Sequence, residues 1–212
     1  NQSMRILLTG FEPFNNAKLN PSEQIVRALA AEYEAGDHIV GVDLHTAILP
    51  VVFTESSELV KHLIKQHQPD AVISLGQAEG RKEISIERIA VNLDDARIAD
   101  NAGRTVIDQP IVAGGPTAHF TTLPAKELVD AVRAAGIAAG LSLSAGTFVC
   151  NHVFYSLQQA LAGTNVVSGF IHVPLMNEQA VDFAGMPTMP IHEQIAGVKV
   201  ILQTLASVSL PK

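Results

Sequence analysis

Residues 141–174 read LSLSAGTFVCNHVFYSLQQALAGTNVVSGFIHVP. Leu141 to Phe148 is apolar enough for a buried strand, Asn151 to Leu161 has the spacing of a helix, and Val166 to Val173 is a second strand-like run. Two strands pointing the same way need a crossover between them, and a helix of this length supplies it. The stretch therefore reads as one strand-helix-strand unit. A sheet made of such units is covered on both faces, so its strands appear as continuous apolar runs.

The same alternation extends in both directions. Toward the N-terminus, Ile6-Leu7-Leu8 forms a short buried strand ended by Thr9-Gly10. Asn20-Pro21-Ser22-Glu23 then combines a helix N-cap, a proline in the first turn and a glutamate three residues past the cap, and Ile25, Val26 and Leu29 follow at helical spacing. A strand-like stretch runs from Ile39 to Val52. A helix with Leu59, Val60, Leu63 and Ile64 on one face stops at Gln68-Pro69-Asp70, and Ala71 to Leu75 is another buried strand. Ile84 to Val91 alternates, 94–116 is rich in loop residues, and a helix starting at Pro124 presents Leu128, Val129 and Val132. A final helix carries Ile191, Ile195, Val198, Leu202 and Leu205. The expected fold is a single α/β domain over 4–212, a twisted and mostly parallel sheet with helices on both faces, of the phosphorylase or hydrolase type. Sites in such folds lie beyond the C-terminal strand ends, here the loops after Leu8, Leu75, Val91, Phe148 and Ile171.

Composition narrows the function. The chain has 212 residues, 47% of them hydrophobic and 17% charged, which excludes a disordered chain. A net charge of −7 and a pI near 5.5 argue against tracking nucleic-acid phosphates. With two Tyr and no Trp there is no base-stacking platform. No apolar run reaches the roughly 18 residues of a membrane span, so no membrane partner is expected. Met4 reads as the natural start and Asn1-Gln2-Ser3 as a remnant of expression. The single cysteine, Cys150, forbids an intrachain disulfide and fits a reducing cytoplasm.

Phosphate cradles and serine elbows are missing: the chain has no G-x-x-x-x-G-K-[ST], no G-x-G-x-x-G after a strand and no G-x-S-x-G. His62 and His67 stand five apart, the wrong spacing for ligands on one helical face, and His38, His45, His119 and His192 have no ligand-spaced partner, so neither metal nor cofactor is expected. Cys150 is different. It sits where a strand gives way to a helix, and a helix N-terminus stabilises a thiolate and a developing oxyanion. A cysteine nucleophile needs a base, and the base an orienting group. His172, at the end of the next strand, would meet Cys150 if the two strands were neighbours, while His152 in the first helical turn is a rival with a packing role as its plainer explanation. Glu87, in the apolar stretch Ile84–Ala90, needs a partner there: either Arg88 at a surface or the histidine.

Together these segments resemble the pyroglutamyl peptidase I family of cysteine peptidases. The resemblance runs from Met4 to about Gln179 and rests on Leu8-Thr9-Gly10-Phe11-Glu12-Pro13-Phe14, Asn20-Pro21-Ser22, Gly76-Gln77-Ala78 with Gly80-Arg81, Glu87-Arg88-Ile89-Ala90-Val91-Asn92, Asp95-Ala96-Arg97-Ile98, residues 145–152 and Gly169-Phe170-Ile171-His172-Val173-Pro174. It implies a Cys150, His172 and Glu87 triad, a fold related to the purine nucleoside phosphorylases, and a homotetramer. It also implies a pyroglutamate pocket of Phe11, Phe14, Gln77, Phe148 and Val149 with Ile98 and Asn20 as neighbours, oxyanion support from Arg97, and peptides beginning with pyroglutamate as substrates. Ile86, Glu79 and Ala99 stand where the family pattern often has proline, glycine and proline. The competing readings are a nucleoside-handling enzyme on a similar fold and a non-catalytic oligomer that binds lactams.

Overall fold

A computed structural model describes residues 3–209. Of the three leading residues read as a remnant, Asn1 and Gln2 lie outside the described residues. In chain order the elements are β1 (Met4–Phe11), α1 (Pro21–Glu34), β2 (Val42–Leu49), α2 (Phe53–His67), β3 (Ala71–Gln77), β4 (Ile84–Glu87), β5 (Ile89–Val91), β6 (Ala118–Phe120), α3 (Ala125–Ala134), β7 (Ala139–Ser142), α4 (Val149–Leu161), β8 (Val167–Val173), a short 3-10 turn (Asn177–Gln179) and α5 (Ile191–Ser209). Six strands form the main sheet in the order β2-β1-β3-β8-β4-β7, every pair parallel except β4 with β8, and β5 and β6 make a separate antiparallel ribbon. This is the mostly parallel α/β sheet expected from the sequence.

Strand alternation sorts side chains onto two cores. Ile6 and Leu8 of β1, Ile73 and Leu75 of β3 and Ile171 and Val173 of β8 pack with α1, α3 and α5. Leu7 and Phe11, Val72 and Phe170 point the other way, toward α2 and α4. By the same alternation Gly76 on β3, His172 on β8 and Glu87 on β4 all belong to the α4 side of the sheet.

Three expectations need correction. The run Leu141–Phe148 is not one strand: β7 ends at Ser142, and 143–148 is a loop that turns at Gly146 (φ 77°) into α4. Ile84–Val91 does not form one alternating strand either. It breaks at Arg88 into β4, buried along its whole length, and β5 in the other ribbon. The strands that flank α4 are also not neighbours, because β4 inserts between β7 and β8. A four-residue buried strand is too short for its period to show which sheet it joins.

The start of α1 is fixed as its sequence suggests. Asn20 Oδ1 accepts from the Ser22 backbone N–H at 3.0 Å and from Ser22 Oγ at 2.7 Å, and Pro21 occupies the first turn. Ser22 Oγ in turn accepts the Phe11 N–H at 3.0 Å, stitching the end of β1 to the helix. This close approach requires Gly10, where a Cβ would stand 2.5 Å from the Ser22 carbonyl oxygen. Because the obstacle is backbone, Gly10→Ala is expected to destabilise the fold by about 1–3 kcal/mol in urea unfolding; an unchanged midpoint would contradict this packing.

Candidate active site

The loops after β1, β3 and β5 line one groove as expected, while the other two contributions come from the loop before α4 and from β8 itself, not from loops after Phe148 and Ile171. The groove has a volume of about 770 Å³ and is bordered by Phe14 after β1, Gln77 and Arg81 after β3, Asp95, Arg97 and Ile98 after β5, Ala145–Phe148 with Cys150 before and within α4, and His172 on β8. At its inner end Phe11, Phe14, Asn20, Val51, Gln77, Phe148, Val149 and Cys150 surround a cleft of only about 10 Å³, room for about one water. The aromatic walls of this cleft interlock. Phe14 and Phe148 lie 6.0 Å apart between ring centres, and Phe53 meets Phe148 edge-on at 5.4 Å.

Cys150 is the second residue of α4, whose N-cap, Phe148, is extended and offers no side-chain acceptor to the first-turn N–H groups. The sulfur rests against β3: a Cβ on Gly76 would lie 2.7 Å from Cys150 Sγ and 2.9 Å from the Phe170 ring. Gly76 is the register partner of His172, so the sheet brings sulfur and imidazole to adjacent strands. His172 is therefore brought to the cysteine's side of the sheet through β3 and β8, and not through neighbouring flanks of α4, and both border the groove. The Phe170 ring, 4.8 Å from the His172 ring, supports both.

The residues either side of the cysteine hold it in place. Asn151, fully buried, exchanges hydrogen bonds with Val91, its Oδ1 accepting from the backbone N–H at 3.1 Å and its Nδ2 donating to the carbonyl at 2.9 Å. His152 Nδ1 lies 2.9 and 3.1 Å from the two Asp94 carboxylate oxygens, and its Nε2 lies 3.2 Å from Ser57 Oγ on α2. The rival histidine is thus committed to packing, and does not border the groove.

His172 and Glu87 face each other from antiparallel neighbours β8 and β4, where Ser85 is opposite His172 and Glu87 lies on the diagonal. His172 Nδ1 and Glu87 Oε2 are 2.8 Å apart, with Glu87 fully buried. Oε2 also accepts from Arg81 Nη1 at 2.9 Å, and Arg81 Nη2 donates to the Ser144 carbonyl at 2.8 Å. Arg88 is not the partner of Glu87. One residue along the chain it points to the opposite face, beside Phe120 and Pro124. That alternation was the signal in the sequence against Arg88, whereas the choice of Arg81 depends on how the loop after β3 folds back. Arg97 and Ile98 border the groove, with Arg97 exposed at its rim. Asn20 lines the cleft, but its Oδ1 serves the α1 cap and its Nδ2 donates to the Glu12 carbonyl at 3.1 Å.

Burial governs the electrostatics. It pushes the Cys150 thiol up to about 12, the nearby Glu87 carboxylate adds to the rise, and Arg81 and the cysteine's own backbone N–H oppose it. Burial also lowers the His172 pKa, against the pull of Glu87. Burial thus disfavours both the thiolate and the imidazolium in the ligand-free protein, against the stabilisation that the helix N-terminus offers a thiolate. Because Nδ1 donates to the carboxylate, Nε2 carries the free lone pair.

Comparison with known proteins now identifies the chain's relatives. The model of the family described as pyroglutamyl peptidase matches residues 4–208. The chain belongs to the pyroglutamyl peptidase family. It is 50% identical to pyrrolidone-carboxylate peptidase 1 of Ralstonia nicotianae over 201 residues, covering 94% of this chain and 91% of that one. Against pyrrolidone-carboxylate peptidase of Aliivibrio fischeri it is 49% identical, with 95% and 92% covered. The crystal structure of Bacillus amyloliquefaciens pyroglutamyl peptidase I superposes with a TM-score of 0.89 at 36% identity, covering 97% and 98% of the two chains. Membership in this family of cysteine peptidases sets aside the nucleoside-handling reading.

Two outcomes check the geometry and the electrostatics. With burial disfavouring the thiolate, the rate of Cys150 alkylation by iodoacetamide in the ligand-free protein should climb about tenfold per pH unit from 7 to 9; a rate already flat between pH 5 and 8 would show a resting ion pair. His152→Ala, which strands a buried Asp94 carboxylate, should cost about 2–3 kcal/mol in denaturant unfolding; a change below about 0.5 kcal/mol would contradict its packing role.

Proposed function

We propose that the chain removes N-terminal pyroglutamate from peptides, with Cys150 as nucleophile, His172 as base and then acid, and Glu87 as the group that orients His172. The observation that carries this reading is the 2.8 Å contact from His172 Nδ1 to Glu87 Oε2, made on the sheet face against which the Cys150 sulfur rests. The tautomer held by Glu87 turns the Nε2 lone pair away from the carboxylate, free to take the sulfur's proton.

In this scheme Sγ attacks the carbonyl that joins pyroglutamate to the next residue, and the thiol proton passes to Nε2 as the S–C bond forms. Attack coupled to proton transfer suits a thiol and a neutral imidazole. The Cys150 backbone N–H, in the first turn of α4 with no side-chain cap, would receive the oxyanion. Support from Arg97 would need its side chain to swing in from the rim. Collapse of the intermediate breaks the C–N bond, Nε2 returns the proton to the leaving amine, and a thioester remains on Cys150. Water then gives a proton to Nε2 as its oxygen adds to the thioester. Breaking the C–S bond frees pyroglutamic acid, and the sulfur recovers its proton.

The ring would enter between Phe11, Phe14 and Phe148, beside Val149 and Gln77. The cleft there is too small for a five-membered lactam as it stands, so binding must part Phe14 from Phe148. A neutral lactam tolerates such walls, whereas the ammonium and carboxylate of a free glutamyl terminus would lose their hydration. Ile98 and Arg97, on the groove wall, would flank the peptide beyond the ring. Residues 4–212 act as one catalytic domain in this reading, a reducing cytoplasm suits its single thiol, and a homotetramer is the assembly that the family resemblance implies. Among the described residues no helix is long and apolar enough to cross a membrane.

The test is release of a fluorescent amine from a pyroglutamyl amide. The chain should release it, and prior iodoacetamide treatment or Cys150→Ala should reduce turnover by about 10³-fold or more with the fold retained. Turnover that survives alkylation of the only thiol would refute the nucleophile.

A further inference from the structure

Gln77 borders both the groove and the inner cleft, so the direction of its side-chain amide decides whether the site offers a donor or an acceptor there. A chain of contacts behind the cleft sets that direction. Gln179, buried in the 3-10 turn after β8, meets two backbone groups whose roles cannot change. Its Oε1 accepts the Met176 N–H at 3.0 Å, and its Nε2 donates to the Leu19 carbonyl at 3.3 Å. A backbone N–H only donates and a backbone carbonyl only accepts, so the amide of Gln179 has one orientation. The same Nε2 donates to Gln77 Oε1 at 2.9 Å. Gln77 must therefore turn its oxygen toward Gln179, which leaves its Nε2 with two N–H donors and no protein acceptor among the described residues.

We propose that Gln179 is a positioning residue for substrate specificity: by holding Oε1 of Gln77 it keeps the Gln77 N–H donors available to the ring of the substrate, so that the site selects rings bearing a carbonyl. This rests on the peptidase reading above and names the ring group that Gln77 reads, the lactam carbonyl. The lactam N–H must find its acceptor elsewhere, since no acceptor remains on the Gln77 side chain. A ring without the carbonyl leaves a donor unpaired in an apolar cleft, and that mismatch is what turns binding into discrimination. Gln179 also ties Leu19, in the loop that carries Phe14, to the end of β8, so the donor and the aromatic wall share one anchor.

Gln179→Glu tests this sharply. A carboxylate of the same shape still accepts the Met176 N–H but faces Gln77 with an acceptor, so Gln77 should turn its amide over and present oxygen to the cleft. Two coumarin amides are compared, pyroglutamyl and cyclopentanecarbonyl, the latter the same ring without either polar group. For Gln179→Glu, kcat/KM on the pyroglutamyl amide should fall about 10–100-fold, mostly through KM, while kcat/KM on the cyclopentanecarbonyl amide and the rate of Cys150 alkylation stay within about twofold of the parent. Equal losses on both amides, or slowed alkylation, would mean that Gln179 merely supports the fold and would overturn the proposal, as would an unchanged preference. If Gln179→Glu does not fold, Gln179→Met, which removes the donor to Gln77 Oε1 and lets that amide turn, should give the same selective loss on a smaller scale. A parent protein that folds but releases no amine from the pyroglutamyl substrate overturns the peptidase reading itself, whereas a parent that releases it and a variant that keeps its preference overturn only the role of Gln179.

Discussion

The contact on which the site depends is the one between the sulfur of Cys150 and the bare backbone of Gly76. A helix laid on a sheet normally stands off by the side chains between them. Here the first turn of α4 comes down until Sγ occupies the space of a missing Cβ, 2.7 Å from where that atom would be. Everything around the cysteine serves that approach. Asn151 fastens the turn to Val91, His152 fastens it to Asp94 and Ser57, and Phe170 closes the remaining side. Gly76 pairs in register with His172, so the same contact that seats the sulfur also sets its distance from the imidazole.

The electrostatics follow from the same compression. A sulfur held against the sheet is only partly open to water, and that burial disfavours its ionisation. Burial also lowers the pKa of the imidazole. What the protein invests in charge lies one layer away, where buried Glu87 pairs with a partly exposed Arg81 that reaches across to the Ser144 carbonyl. Arg81 thereby ties the orienting carboxylate to the loop that leads into α4, and the base and the nucleophile share one support. The fixed charge of the site is held by the Glu87 and Arg81 pair, while burial disfavours charge on the sulfur and the imidazole before a carbonyl carbon arrives.

Much of this was legible in the sequence because it obeys short-range rules. The alternation of apolar runs and helical spacing exposed the α/β sheet, Asn20-Pro21 announced α1, and the C-terminal strand ends pointed to the edge of the sheet where the groove lies. The strand-to-helix turn singled out Cys150 without any comparison. What escaped was set by tertiary partners. The insertion of β4 between β7 and β8 leaves no trace in a four-residue buried strand, and the end of β7 at Ser142 is hidden because the apolar and small residues up to Phe148 suit a groove wall as well as a strand. Composition around a helix N-terminus suggests a thiolate, but how deeply the sulfur would be buried depends on Gly76, which is 74 residues away in the chain. Gln179 acts through Gln77, 102 residues away, and Arg81 meets Glu87 from a loop, so neither could be assigned a partner from periodicity.

The account stands on covalent chemistry at one sulfur, and that is best observed directly. Brief incubation with a pyroglutamyl thiol ester, quenching in acid and mass analysis of the digest should show a pyroglutamyl group on the peptide containing Cys150. A modification on any other residue, or product formation by Cys150→Ala at the parent rate, would contradict the account.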